Sequence, residues 1–257
     1  HYLFVASGRP LAFISNQIIE AGFNGFVLCN GAHVEPNHEI IYENRIPYEK
    51  VNDLMNLLER LYSVPDGKIK IDGKDINQIP IETLRNNICY ITQDNFLFSS
   101  TLKENISLFR DEYDDEEIKE STKKAIVYED IKKMPKGIET VIGERGGDLS
   151  GGQKQRVSIS RAFLKESRIL IFDDTFSALD NRTSEKLIEN IKELSSEKTC
   201  IIISNKVSDV KYSDKIIVLD KGNIVEEGTH EQLIQNEGIY SGFYNQQSTK
   251  AEPIFLV

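Results

Sequence analysis

The sequence has no tryptophan, few cysteines and histidines, and no apolar run approaching the roughly 20 residues that a membrane-spanning helix needs. Such a polypeptide is expected not to cross a bilayer by itself. Cys29, Cys89 and Cys200 are odd in number and far apart, which points neither to a disulfide framework nor to a zinc site and suits a reducing compartment. His1, His33, His38 and His230 lack metal-ligand spacing and read as surface residues. Positive charge is also in short supply: 31 Lys and Arg against 41 Asp and Glu leave a net charge of −10. Nucleic acid is therefore not an expected partner, because sequence-independent binding needs basic groups to neutralise phosphates. The chain opens on His1 rather than Met, which reads as a truncated N-terminus with no signal peptide.

What is present suits a globular protein: 39% hydrophobic and 28% charged residues in a length that allows one large core or two modest ones. Residues 3–6 (LFVA) and 25–29 (GFVLC) read as strands followed by turns, with a helix over 10–22 between them, making one βαβ unit. Val51, Leu54, Leu57, Leu58 and Leu61 recur at helical spacing, and Pro65-Asp66-Gly67 turns the chain into strand-like KIKIDG. Residues 101–165 are mostly helical in pattern, with turns near Pro135–Gly137 and Gly146-Gly147, and the acidic run 111–120 reads as a solvated helix face. RILIF (168–172), TCIIIS (199–204) and KIIVLD (215–220) are β-branched runs between helical segments, the pattern of buried parallel strands with helices outside.

The sharpest signal is Leu149-Ser150-Gly151-Gly152-Gln153 ahead of KQRVSISRAFL. Ser150 can cap the following helix, two glycines let a polyphosphate approach backbone N–H groups, and the helix N-terminus carries partial positive charge. Twenty residues on, the strand ILIF delivers Asp173 and Asp174 at its carboxyl end, where open α/β sheets place their ligands. Adjacent carboxylates there suit Mg²⁺ and an attacking water. Ser177-Ala178-Leu179-Asp180 follows, and Gln93 stands earlier, after the strand-like Cys89-Tyr90-Ile91-Thr92.

In this order, these pieces resemble the nucleotide-binding domain of ABC transporters from about Leu54 to Gln247. LSGGQ at 149–153 matches the ABC signature, ILIFD at 169–173 the Walker B strand, SALD at 177–180 the D-loop, and Gln93 the Q-loop. TVIGERGGD (140–148), QDNFLFSSTLKENI (93–106) and the ending at 222–247 look like exporters that join a membrane domain to the ATPase. The resemblance implies ATP and Mg²⁺ as ligands and a transmembrane domain outside this chain. It also implies a place on the cytoplasmic face of the plasma membrane. A second ATPase subunit is implied too, with each ATP held between the Walker side of one subunit and the signature of the other. Gln93 and Asp173 would contact Mg²⁺, Leu149, Ser150, Gly151, Gly152, Gln153 and Asp180 would serve nucleotide, and Asp174 and Asn205 would be the catalytic positions.

Three departures fall on the Walker side. The family's Glu after the Walker B Asp is Asp174 here, one methylene short, and a misplacement of about 1 Å can cost on the order of 100-fold in rate. The family's switch histidine corresponds to Asn205 in IIISNKVSD, whose amide can hydrogen-bond a phosphate oxygen but cannot carry a proton. Ahead of LMNLLERLY, where the family has GxxxxGK[ST], the sequence reads IPYEKVND, with no glycine between Gly31 and Gly67. Beside an intact signature, the substitutions look like the degenerate subunit of a heterodimeric exporter.

Residues 1–50 resemble a piece of a Cof-type HAD-superfamily phosphatase: FVASGRP would place Ser7 in the phosphate-contacting turn, and NGAHV would place Asn30 in the NGA turn. The expected architecture is therefore a P-loop-NTPase-like α/β fold, with a mostly parallel sheet over 51–247 that lacks its P-loop and carries an inserted helical subdomain at about 101–165. A partial HAD-like βαβ segment precedes it, as in a chimera, and 248–257 form a tail. The expected function is the ATP-binding and ATP-hydrolysing component of an exporter, impaired in this chain. The alternatives are a HAD-type phosphatase fragment and an inactive ABC module that completes a partner's ATP site.

Overall fold

The computed structural model describes residues 57–110, 112–143, 146–220 and 223–249, together with the strands at 2–6, 32–34 and 42–44. The chain forms two compact units, residues 1–86 with 199–257, and residues 87–198.

In the first unit, β1 (Tyr2–Ala6) runs parallel to both β8 (Thr199–Ser204) and β9 (Lys215–Asp220), and β10 (Asn223–Gly228) pairs antiparallel with β9. The register places Phe4 opposite Ile202 and Ile216, and Ala6 opposite Ser204 and Val218. Cys200 to Ile203 and Ile216 to Leu219 are consecutively buried, so both faces of these strands are covered, as the unbroken apolar runs predict. Among the described residues this unit also has two short antiparallel pairs: β2 (Ala32–Val34) with β3 (Tyr42–Asn44), and β4 (Lys70–Ile71) with β5 (Lys74–Asp75). Asp72 and Gly73 join the latter with φ of 50° and 74°, both left-handed, as a tight hairpin turn requires. The expected strand KIKIDG is thereby cut to two residues.

The helix expected up to Tyr62 also stops early. Leu57 and Leu58 are helical, Arg60 turns left-handed at φ 50°, and Leu61 and Tyr62 are exposed. The Arg60 guanidinium reaches the carbonyls of Ile76 (3.3 Å) and Ile79 (2.6 Å), bonds that fix the turn. Helix α1 (Ile81–Asn87) ends this segment.

The second unit has a parallel pair, β6 (Ile88–Ile91) with β7 (Ile169–Asp173), in the register Ile91 opposite Phe172. Between them in sequence lie α2 (Leu102–Ser107), α3 (Asp115–Lys124), α4 (Tyr128–Lys132) and α5 (Gly151–Leu164); α6 (Asn181–Leu194) follows β7. Thr101 and Asp114 begin α2 and α3 with capping boxes, each answered by a Glu three residues on, so the acidic run does start a helix. Ile118, Val157, Phe172, Phe176 and Leu187 are buried in the core of this unit. No helix of the described residues is long and apolar enough to cross a membrane.

Candidate nucleotide site

Leu149 to Gln153 fold as the start of a 14-residue helix. The Ser150 hydroxyl accepts from the Gln153 N–H at 3.3 Å, and the Gln153 side-chain oxygen accepts from the Ser150 N–H at 3.0 Å. This reciprocal cap satisfies local donors and fixes the entry of α5. The Gln153 amide donates to Asp130 at 3.2 Å. Asp130 in turn pairs with Arg156 at 3.1 Å, and Arg156 also donates to the carbonyls of Ile126 (2.5 Å) and Gly152 (3.2 Å). The signature start is thus clamped to α4 and to the turn before it. Leu149 is buried beneath it, while Ser150 and Gly151 are exposed. A Cβ on Gly152 would stand 3.4 Å from the Ala178 carbonyl and 3.5 Å from Leu179, so the signature turn packs on the SALD segment.

At the carboxyl end of β7, Asp173 is buried and accepts a hydrogen bond from the Tyr90 hydroxyl at 2.9 Å. Burial pushes its carboxyl up to about 6; the Tyr90 hydroxyl opposes that rise and the neighbouring Asp174 charge adds to it. Asp174 has left-handed backbone, φ 43°, which is costly for a residue with a side chain. Its carbonyl accepts from Ser177 Oγ (2.9 Å), the Ser177 N–H (3.3 Å) and Gln155 Nε2 (3.4 Å), and its carboxylate accepts from Gln93 Nε2 at 3.2 Å. Gln93 thus bonds Asp174, the neighbour of Asp173, rather than Asp173 itself. Asp180 caps α6 by accepting from the Thr183 N–H (3.0 Å) and hydroxyl (2.7 Å), which hold its carboxyl below the usual range.

Among the described residues no cluster of three His, Cys, Asp or Glu forms a dedicated metal centre. The donor set at the strand end is oxygen-rich, and a buried carboxylate at about 6 is one that a hard cation would hold ionised. Mg²⁺ fits Asp173 with Gln93 and Asp174 beside it.

Asn205 belongs to the other unit, just past the end of β8, and is exposed. Ser7 and Asn30 lie outside the described residues. Sequence reasoning did not single out Tyr90 or Gln155. Gln155 carried a usable signal, since it shares the helical face of buried Ser158, Ile159 and Ala162. Both ends of its amide engage the turn after β7, at the Asp174 carbonyl and at the Ala178 N–H (3.2 Å).

Comparison with known proteins gives three findings. Residues 53–177 match the ABC transporter family. Proteins of Staphylococcus aureus strains NCTC 8325 / PS 47 and COL that bear the name multidrug export ATP-binding/permease protein are 45% identical over 195 residues, covering 76% of this chain and 34% of each relative. The chain thus spans about a third of the length of these curated relatives. A bacterial Atm1-family ABC exporter solved with ATP bound superposes with a TM-score of 0.75 at 30% identity, covering 96% of this chain and 37% of the other.

Proposed function

Because this chain carries an ABC transporter ATP-binding domain with exporter homologues, we propose that it is the nucleotide-handling component of an exporter and offers an intact signature face to a second ATPase domain. The observation that carries this reading is the clamped start of α5, where Ser150, Gln153, Asp130 and Arg156 hold Gly151 and Gly152 at a helix N-terminus. A γ-phosphate held by the partner domain would meet backbone N–H groups and the positive end of a helix dipole.

On the chain's own Walker side, Asp173 and Gln93 would hold Mg²⁺, which would supply charge neutralisation for the phosphates. Tyr90 orients Asp173, and Gln93 holds Asp174 where it would direct the attacking water. The shorter Asp174 and the proton-free amide of Asn205 make this side the slower of the two, and the missing GxxxxGK[ST] pattern weakens its grip on the β- and γ-phosphates. The chain is accordingly one half of a heterodimer and works mainly by completing the partner's site. The relatives' names join ATP binding to a permease, so a transmembrane domain is the other expected partner and the cytoplasmic face of the plasma membrane the expected location. Nothing among the described residues favours the phosphatase alternative.

The test is ATP-dependent association. The chain should form a one-to-one complex with the hydrolysis-deficient ATPase domain of a relative in Mg-ATP and separate from it when nucleotide is removed, as read by analytical ultracentrifugation. Association that ignores nucleotide, or none at all, refutes the reading.

A further inference from the structure

The loop carrying Asn205 is tied down from two directions. From within, the buried Ser204 hydroxyl donates to buried Asp209 at 2.6 Å and accepts from the Lys206 N–H at 3.0 Å. From outside the loop comes Gln247, on α9 (Ile239–Thr249), the last helix of the chain. Its amide nitrogen donates to the Asn205 carbonyl at 2.7 Å, and its amide oxygen accepts from the Val207 N–H at 2.8 Å. One side-chain amide thus spans both sides of Lys206, much as a neighbouring strand would, with donor and acceptor both used. The segment leads into α7 (Val207–Val210), where Val207 and Val210 are buried.

We infer that Gln247 is a positioning residue: from the last helix it fixes the backbone on which Asn205 presents its amide. This deepens the proposed function and rests on it for the role of Asn205. An amide at this position cannot move a proton, so placement is all it can contribute, and a misplaced donor loses most of its effect. The Ser204 and Asp209 bonds hold the base of the loop, while the two Gln247 bonds set the peptides on either side of Lys206. The last helix is itself anchored within this unit: Glu226 accepts from the Tyr240 N–H at 3.1 Å and from the Ile239 N–H, and Nδ1 of His230, the first residue of α8 (His230–Gln235), bonds the Tyr240 hydroxyl at 2.8 Å. Displacing α9 would therefore release Asn205 without unfolding β8.

The experiment uses the full chain with Gln247→Ala and Gln247→Glu variants. Amide exchange in nucleotide-free protein should rise about tenfold at Val207 in the Ala variant, the change one net hydrogen bond makes, and stay within twofold along residues 199–204. The Glu variant keeps an oxygen for the Val207 N–H, so it should restore that protection while leaving the Asn205 carbonyl without its donor. A readout beyond stability is the Asn205 side-chain amide resonance. Millimolar Mg-ATP should shift it in the parent chain, and both variants should need severalfold more nucleotide for the same shift. Equal Val207 exchange in parent and Ala variant overturns the inference, as does an Asn205 response to nucleotide that ignores both substitutions. If the parent resonance does not respond to Mg-ATP while exchange follows the substitutions, the nucleotide role of Asn205 fails and the positioning by Gln247 stands.

Discussion

The start of α5 and the end of β7 are both rich in polar groups, yet they are held in different ways. At the start of α5 the Ser150–Gln153 cap is local, the Asp130–Arg156 pair backs it, and two glycines leave the outer surface clear. At the end of β7 a buried carboxylate sits beside another on left-handed backbone, held by residues from 19 to 83 positions away. The first arrangement is preorganised in the absence of nucleotide; the second is strained and charged until a cation arrives. This contrast is what the proposed function rests on: a chain that completes another domain's site better than it runs its own.

The largest expected effect tests the clear outer surface. Gly151→Glu should lower activation of a partner ATPase by at least about 100-fold, because a carboxylate would occupy the anion-facing turn. A Cβ there would lie 3.9 Å from Ala178, so the melting temperature should barely move. Next comes the clamp. Arg156→Leu removes a largely buried partner of Asp130 and strands the Ile126 carbonyl, and should cost about 2 kcal/mol in denaturant unfolding.

A smaller change of opposite sign is expected at β7. The Asp173 carboxyl lies at about 6 in the folded chain against about 4 in an unfolded one, so protonation favours the fold. That contribution is complete below about pH 4 and is lost as pH rises through 6. Asp173→Asn should therefore raise metal-free stability at pH 7 by about 1–2 kcal/mol while abolishing stabilisation by Mg²⁺. Smallest of all, Tyr90→Phe removes the hydroxyl that opposes the rise, so the Asp173 titration followed by carboxyl NMR should move further up, with a stability change under about 1 kcal/mol.

The same contrast explains what could be read without a structure. Ser150 with Gln153, and Thr101 with Glu104, are caps three residues apart, and β7, β8 and β9 are unbroken apolar runs; local pattern suffices for each. The order of motifs put Gln93 with Asp173 as Mg²⁺ contacts; the hydrogen bond of Gln93 to Asp174 was not legible from it. Tyr90 and Gln247 were not legible either, because each acts on a partner at least 40 residues away and no local spacing marks it, while the helical spacing of Gln155 marks a buried face but not its partners 19 and 23 residues on. The early stop at Leu58 was hidden for the same reason, since the Arg60 turn is fixed by carbonyls at Ile76 and Ile79. Where β1 pairs was also beyond a local reading: residues 3–6 were expected as a strand, and the place of β1 between β8 and β9 is a tertiary fact.

The most direct measurement is phosphate release by a relative's ATPase domain whose own signature has been disabled, titrated with this chain. Turnover that rises to a plateau at equimolar chain, and does not rise with the Gly151→Glu variant, is the predicted result. A rise that is the same with both chains, or no rise despite complex formation in Mg-ATP, would contradict the claim that the α5 signature completes a partner's site.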